Sequence, residues 1–188
     1  MTVYPSLDTD RLRLRAFEMT DAPEVRRLAG DRAIAAATQN IPHPYETAMA
    51  EKWIARHQSA FESGEGTSFA ITARESDALL GAFGIHVRQE HRCGEIGYWI
   101  GKPYWGHGYA TEAGHAVLRY GFEQLDLNRI LARYFAENLQ SGRVMEKLGM
   151  KYEGLLRQHV KKWGAFVDVV ICGILRSEYD QLSDSGER

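Results

Sequence analysis

The sequence predicts an α+β fold built on one mixed sheet, and three stretches carry that prediction. Helical apolar spacing fills residues 21–61, aromatic and β-branched runs between short polar turns fill 67–101, and the remainder runs helix, strand, helix, strand, strand. At 188 residues the chain fits one domain of the common size, about 100–200 residues. That domain is expected over residues 1–182, with SDSGER at 183–188 as a frayed tail.

The elements follow in order. Arg11-Leu12-Arg13-Leu14-Arg15 alternates with period two, which predicts a half-buried strand whose arginines face water and protect an edge from pairing. Asp21, with Pro23 two residues on, starts a helix leading to Val25 and Leu28, and Met49, Trp53, Ile54 and Phe61 give a second helix its apolar stripe. Between them QNIPHPYE reads as a loop. TSFAIT, LLGAFGIHV and CGEIGYWIG form an antiparallel meander, because each is rich in residues that fit a pleated, half-buried surface. Ala110, Ala113, Val117, Leu118, Phe122 and Leu125 recur at helical spacing and predict a helix over 109–125. RILARYFA is the next strand; then Asn138 caps a short helix whose Val144, Met145 and Leu148 face inward, and Gly149 stops it. MKYEGLLRQHV and AFVDVVICGIL are the last two strands.

Composition narrows function by exclusion. The chain is 44% apolar and 26% charged, an ordinary globular balance far from that of a disordered segment. No apolar run approaches the roughly 18–20 residues of a bilayer span, and the first residues lack a signal-peptide apolar region, so a cytoplasmic protein with no membrane partner is expected. A net charge of −2, with 23 basic residues interspersed among 25 acidic ones, gives no whole-protein attraction to nucleic acid. Cys93 and Cys172 are expected as buried free thiols. His86, His91 and Cys93 fall close together, but their spacing matches no familiar zinc motif and a polar hairpin turn explains them; no metal is expected.

The most informative stretch is YWGHGYATEAG, residues 104–114, where Gly106 and Gly108 precede the helix over 109–125. A helix start binds anions, because its first amides lack partners and the macrodipole places roughly +0.5 charge there. The lysine of an ATP-binding P-loop is missing, since Tyr109, Ala110 and Thr111 follow Gly108. A dinucleotide fold is disfavoured too: Asp126 ends the same helix rather than a following strand, and the turn comes after three antiparallel strands. On these residues alone an anion site and a tight packing turn both remain open.

Neighbouring motifs add a resemblance. Trp105-Gly106-His107-Gly108-Tyr109-Ala110 resembles the acetyl-CoA-binding Q/R-x-x-G-x-G/A motif of the GNAT superfamily of N-acetyltransferases, with Trp105 in the Gln/Arg place. T-D-R-L-x-L-R at Thr9 to Arg15, E-I-G-Y-W at Glu95 to Trp99, N-x-x-S at Asn138 to Ser141 and E-K-L-G at Glu146 to Gly149 are similar to one branch of it. So are Glu153-Gly154 and Leu156-Arg157. That branch is the RimJ/RimL group, the acetyltransferases of ribosomal-protein N-termini and their relatives, and the resemblance covers nearly the whole chain.

The resemblance implies the GNAT fold: a single mixed, mostly antiparallel sheet flanked by helices and splayed between the fourth and fifth strands, those of Glu95 and of residues 129–136. It implies acetyl-CoA as cosubstrate, its pantetheine arm against the backbone of Trp99, Ile100 and Gly101 in the manner of an added strand. The diphosphate would sit on the amides of Gly106, His107, Gly108, Tyr109, Ala110 and Thr111, next to Trp105. Asn138 would cap its helix and bind the pantetheine or substrate amide, and a backbone N–H near Ile100 would polarise the thioester carbonyl. The implied acceptor is a primary amine, first the N-terminal α-amine of a ribosomal protein or peptide. A small-molecule amine (antibiotic, polyamine or amino acid) is the alternative acceptor, and a noncatalytic acetyl-CoA-binding module the rival class. The group is compatible with a homodimer.

Acetyl transfer needs a neutral amine, a polarised carbonyl and a proton for the leaving thiolate. An α-amine of pKa about 7.7–8.0 is already partly neutral at pH 7, whereas a lysine near 10.4 must give up roughly 4–5 kcal/mol to deprotonate. Glu95 is the preferred base and His159 the second candidate, with water relay as a substitute for either. Met145 stands where many members carry the tyrosine that protonates the thiolate, so Ser141 is the nearby hydrogen-bond donor to sulfur.

Overall fold

The computed structural model describes residues 3–184, so residues 185–188 of the expected tail lie outside the described residues. At the N-terminal end β1 (Leu7–Asp8) and β2 (Leu12–Ala16) pair antiparallel and bury Leu7, Leu12 and Leu14. The arginines at 11, 13 and 15 do not simply face water. Arg13 pairs with Asp8, Arg11 with Glu112, and the mostly buried Arg15 donates to Asp21 at 2.8 and 2.9 Å. Period-two alternation sets which face a side chain takes; it carries no record of the distant carboxylates that meet it there.

The first helical stretch divides into α1 (Ala22–Ala29), α2 (Arg32–Ala37), α3 (Thr47–Ile54) and α4 (His57–Glu62). Asp31 starts the unexpected α2 by accepting from the Ala33 amide at 2.8 Å. The helix expected to run through Met49 and Phe61 instead breaks after α3. Ala50 and Ile54 bury against α1 while Met49 stays exposed, and Phe61 packs on Tyr4 with ring centroids 4.6 Å apart.

His57 fills the space made by that break. It is 9% exposed, lies between the rings of Phe17 and Trp53 at 5.4 and 4.4 Å, and neither ring nitrogen has a hydrogen-bond partner. Burial, with the nearby charge of Arg56, pulls its pKa down from 6.5 to about 4. The unfolded chain therefore binds a proton below pH 6.5 that the folded chain refuses until about pH 4, so stability is full above pH 6.5 and declines as pH falls through that window. The loss reaches about 3 kcal/mol by pH 4. Urea unfolding at stepped pH should show this decline in the wild type and a shallower one in His57→Leu; parallel curves would contradict it.

β3 (Gly66–Ala73), β4 (Leu79–Arg88) and β5 (Cys93–Ile100) form the expected meander. α5 (Tyr109–Arg119) crosses over, and β6 (Arg129–Phe135) returns parallel to β5. The crossover does not stay α-helical to residue 125: Tyr120–Gln124 widen into a π-helical turn, with the Leu125 amide bonded to the Tyr120 carbonyl at 3.1 Å. There the Tyr120 hydroxyl lies 3.0 Å from that of Thr67, and Phe122 stacks on Tyr179. α6 (Leu139–Lys147) follows, then β7 (Lys151–Lys162), β8 (Ala165–Leu175) and α7 (Arg176–Asp184). The expected caps of α6 are present: the Asn138 side chain accepts from the Ser141 amide, and Gly149 takes φ +74°. α7, RSEYDQLSD, escapes sequence reading because so polar a run shows no broad apolar stripe.

Among the described residues the strands form one sheet in the order β1-β2-β3-β4-β5-β6-β8-β7, in which only β5 and β6 pair in parallel. Alternation divides the core between two faces. Phe69, Phe83, Ile85, Ile96 and Ile100 pack with α5, while Ala70, Ala82 and Trp99 pack with α1 and α3. β5 stays paired with β4 up to Ile100 and β6 with β8 up to Phe135, yet β5 and β6 pair with each other only from Cys93–Ile96 to Arg129–Ala132. Beyond that point the sheet splays. The fourth and fifth expected strands are β5 and β6 here, because the two-residue β1 precedes them.

Candidate active site

Where β5 and β6 part, a cavity of about 610 Å³ opens through the sheet. Its walls carry Glu95, Tyr98, Trp99, Arg133, Ser141 and Met145, and residues 37–41 close one side. Side chains of β5 alternate across the opening. Glu95 and Trp99 take the face of α1 and α3, and Tyr98 takes the face of α5 and α6. A proton acceptor and a hydroxyl pair thus line opposite faces of one gap.

On the first face, Arg133 Nη2 lies 3.1 Å from Glu95 Oε2. Both side chains are about a third exposed, 32% for Glu95 and 29% for Arg133, enough to meet a ligand in the cavity. Arg133 Nε is buried without a hydrogen-bond partner, so Glu95 does not satisfy the whole guanidinium. Ion pairing holds the carboxylate toward the gap. Lys162 shapes the adjoining wall, its ammonium donating to the carbonyls of Thr38 at 2.8 Å and Ile41 at 3.1 Å.

On the other face, the Tyr98 hydroxyl donates to Ser141 Oγ at 3.1 Å. The Ser141 amide donates to Asn138 Oδ1 at 3.1 Å, so the cap that starts α6 also fixes the serine. Asn138 thereby keeps its side-chain NH2 for another partner. Met145 is 2% exposed and lines the cavity without a polar hydrogen to offer.

Backbone direction can be read from one bond. The Gly101 amide donates to the Leu80 carbonyl at 2.8 Å, toward β4, so strand alternation turns the amides of Ile100 and Tyr98 toward the opening. The Ile100 carbonyl already accepts from Trp105 Nε1 at 2.6 Å. Trp105 in place of the usual Gln or Arg ties the glycine turn to the end of β5. The side chains of Trp99 and Ile100 are buried, and the same alternation turns the backbone of Trp99 and Gly101 toward β4, so of the three residues expected to meet the pantetheine only Ile100 offers an amide to the opening.

Gly106 and Gly108 take φ +80° and +81°, a left-handed region that side chains rarely enter. Nothing lies within 4 Å of the position a Cβ would take on Gly106, so the turn faces open space. Gly108 caps α5 with no side-chain bond to its first amides, which leaves the amides of Tyr109, Ala110 and Thr111 for a ligand. Arg11 stands over the same turn, its Nη2 3.6 Å from the Cβ position of Gly108 and its guanidinium 4.8 Å from the Tyr109 ring centroid. His107 stacks on Tyr109 at 5.6 Å. Open amides beside a cation fit an anionic group. Glu112, in the first turn of α5, is held by Thr9 and Arg11, so its charge and that of Arg11 offset each other and the open amides are the main attraction for an anion.

His159 is exposed on β7, in the irregular stretch between Leu156 and Val160, outside the cavity wall. Three residues that sequence reasoning passed over gain positions at the site: Arg11, Tyr98 and Arg133. Period-two alternation from Glu95 was a signal that Tyr98 occupies the opposite face; no sequence signal pairs Tyr98 with Ser141. Cys172 is buried and Cys93 only partly so, both as free thiols. Among the described residues no three His, Cys, Asp or Glu side chains converge on a metal position, and no helix is long and apolar enough to cross a membrane.

Comparison with known proteins finds a family pattern and several likenesses along most of the chain. The pattern of the family described as "Acetyltransferase (GNAT) domain" matches residues 11–151. An uncharacterized N-acetyltransferase, p20 of Bacillus licheniformis, is 34% identical over 93% of this chain and 98% of its own. The [Ribosomal protein uS5]-alanine N-acetyltransferase of Escherichia coli is 27% identical over 92% of both chains. The solved RimJ of Mycobacterium smegmatis, in complex with CoA-disulfide, superposes with a TM-score of 0.81 at 23% identity, over 94% of this chain and 90% of that one.

Proposed function

Because the chain belongs to the GNAT acetyltransferase family and is an N-acetyltransferase, we propose that it takes its acetyl group from acetyl-CoA and transfers it directly to the N-terminal α-amine of a protein or peptide. The observation that carries this reading is the gap between β5 and β6, with the open amides of the glycine turn nearby and a carboxylate on one face. The uS5-alanine acetyltransferase and the CoA-bound RimJ support the choice of acceptor and donor.

Acetyl-CoA supplies the activated thioester as cosubstrate. The amides from Gly106 to Thr111 and the Arg11 guanidinium hold its diphosphate. Of the two amides that face the opening, that of Ile100, nearer the glycine turn, receives the pantetheine as a missing strand would, and that of Tyr98, nearer Glu95, polarises the thioester carbonyl. Glu95, steadied by Arg133, takes the proton of the attacking amine, while Ser141 donates to the sulfur on the opposite face. Asn138 offers its side-chain NH2 to an amide of the donor or acceptor. His159, away from the cavity wall, takes no step. A partly neutral α-amine asks little of a carboxylate about a third exposed, which favours it over a lysine side chain.

Free-thiol release from acetyl-CoA, followed with N-terminal peptides, polyamines and aminoglycosides, tests both halves. Release is expected with peptides bearing a free α-amine and not with the same peptides N-blocked. No release with any amine would overturn the donor reading, and release confined to polyamines or aminoglycosides would overturn the acceptor. Gly108→Val, which forces a β-branched residue to φ +81°, is expected to raise KM for acetyl-CoA at least about tenfold. An unchanged KM would remove the glycine turn from the cofactor site.

A further inference from the structure

Breaking a thioester leaves a sulfur that needs a proton, and Met145 has none to give. A serine hydroxyl alone is a poor acid. We propose that Tyr98 and Ser141 form a two-hydroxyl relay that delivers this proton, so that Tyr98 of β5 replaces the tyrosine absent from α6. The proposal rests on the acetyl-CoA reading above.

The geometry sets the direction of the relay. Tyr98 Oη donates to Ser141 Oγ at 3.1 Å, which leaves the serine's own hydrogen free to point elsewhere. The Asn138 cap fixes Ser141, and Phe83 fixes Tyr98 by stacking on it with centroids 5.3 Å apart. Both hydroxyl residues line the cavity on the face opposite Glu95. Burial pushes the Tyr98 pKa up, partly offset by the Ser141 bond, so the phenol stays protonated near neutral pH. As the carbon–sulfur bond breaks and the nitrogen–carbon bond forms, the Ser141 proton passes to sulfur and the Tyr98 proton to Ser141 Oγ. The resulting phenolate regains a proton from water, and the proton lost by the amine leaves through Glu95. Charge and protons balance with no other reactant. Because Tyr98 acts through Ser141, it is a positioning residue in this scheme, and Ser141 is the group that touches sulfur.

The test compares wild type, Tyr98→Phe, Ser141→Ala and the double variant. One readout needs no turnover: titration of the thiol of bound CoA by its ultraviolet thiolate absorbance. A hydroxyl donating to sulfur stabilises the thiolate, so the bound thiol should titrate below the ordinary range near about 8.5 in wild type and move up in both single variants. Tyr98→Phe is expected to lower kcat roughly 10–10²-fold with KM for acetyl-CoA within about twofold, and the double variant should be little worse than Ser141→Ala. Solvent-isotope dependence of kcat should change from a two-proton to a one-proton form in Tyr98→Phe. An unaltered bound-thiol titration, an unchanged kcat, or additive losses in the double variant would each overturn the relay. Failure of wild type to bind CoA would overturn the acetyl-CoA reading along with it, whereas binding with an unmoved titration overturns the relay alone.

Discussion

Glu95→Gln is expected to lower kcat by about 10²–10⁴-fold, the range associated with loss of a positioned general base. The amide keeps the shape of the carboxylate and can still meet Arg133, which lies 3.1 Å away, so folding and KM for acetyl-CoA should hold. What disappears is the capacity to take a proton. The loss should be smaller for a peptide α-amine than for a lysine side chain, because more of the α-amine is already neutral at pH 7. Initial rates against pH, with both acceptors, check this. An unaltered rate and profile would show that Glu95 is an ion-pair residue only and that water carries the proton.

Phe83→Ala is expected to cost about 3–5 kcal/mol of stability, the usual range for emptying a fully buried aromatic site. Phe83 is 0% exposed in the middle of β4, and the antiparallel neighbours Phe69 and Tyr98 both register with it. For a chain of this size each kcal/mol moves Tm by roughly 2–4 °C, so a drop of about 6–20 °C should appear in calorimetry. The same change removes the ring on which Tyr98 stacks, and activity below the melting range should fall with it. Phe83→Leu should recover most of the stability and only part of the activity. A loss under about 1 kcal/mol would mean that the sheet closes over the space unaided.

The sheet and its crossover helix were readable because their residues repeat at the pleat or helical period over long runs. Where reading failed, the repeat was short or interrupted. α2 is six residues of mostly alanine, β1 is two residues, and the helix through Trp53 breaks where His57 finds an aromatic niche between distant rings. The π-helical turn at Tyr120 follows from the same cause: its hydroxyl meets Thr67, fifty-three positions away, and no local pattern records that partner. At the site, the glycine turn and Asn138 cap were visible because each is a local backbone requirement. Arg11 looked like a solvated strand arginine because its place over α5 depends on Glu112, one hundred and one positions on.

The sequence by itself determined the α+β order of elements, the strand that carries Glu95 and the helix start opened by Gly106 and Gly108, since periodicity and special backbone angles act within a few residues. Only the tertiary structure decided that β5 and β6 part after Ile96, that Arg133 meets Glu95 and that Tyr98 donates to Ser141. Those contacts join residues far apart in the chain, and their existence depends on how two sheet faces and three helices pack, which no local period encodes.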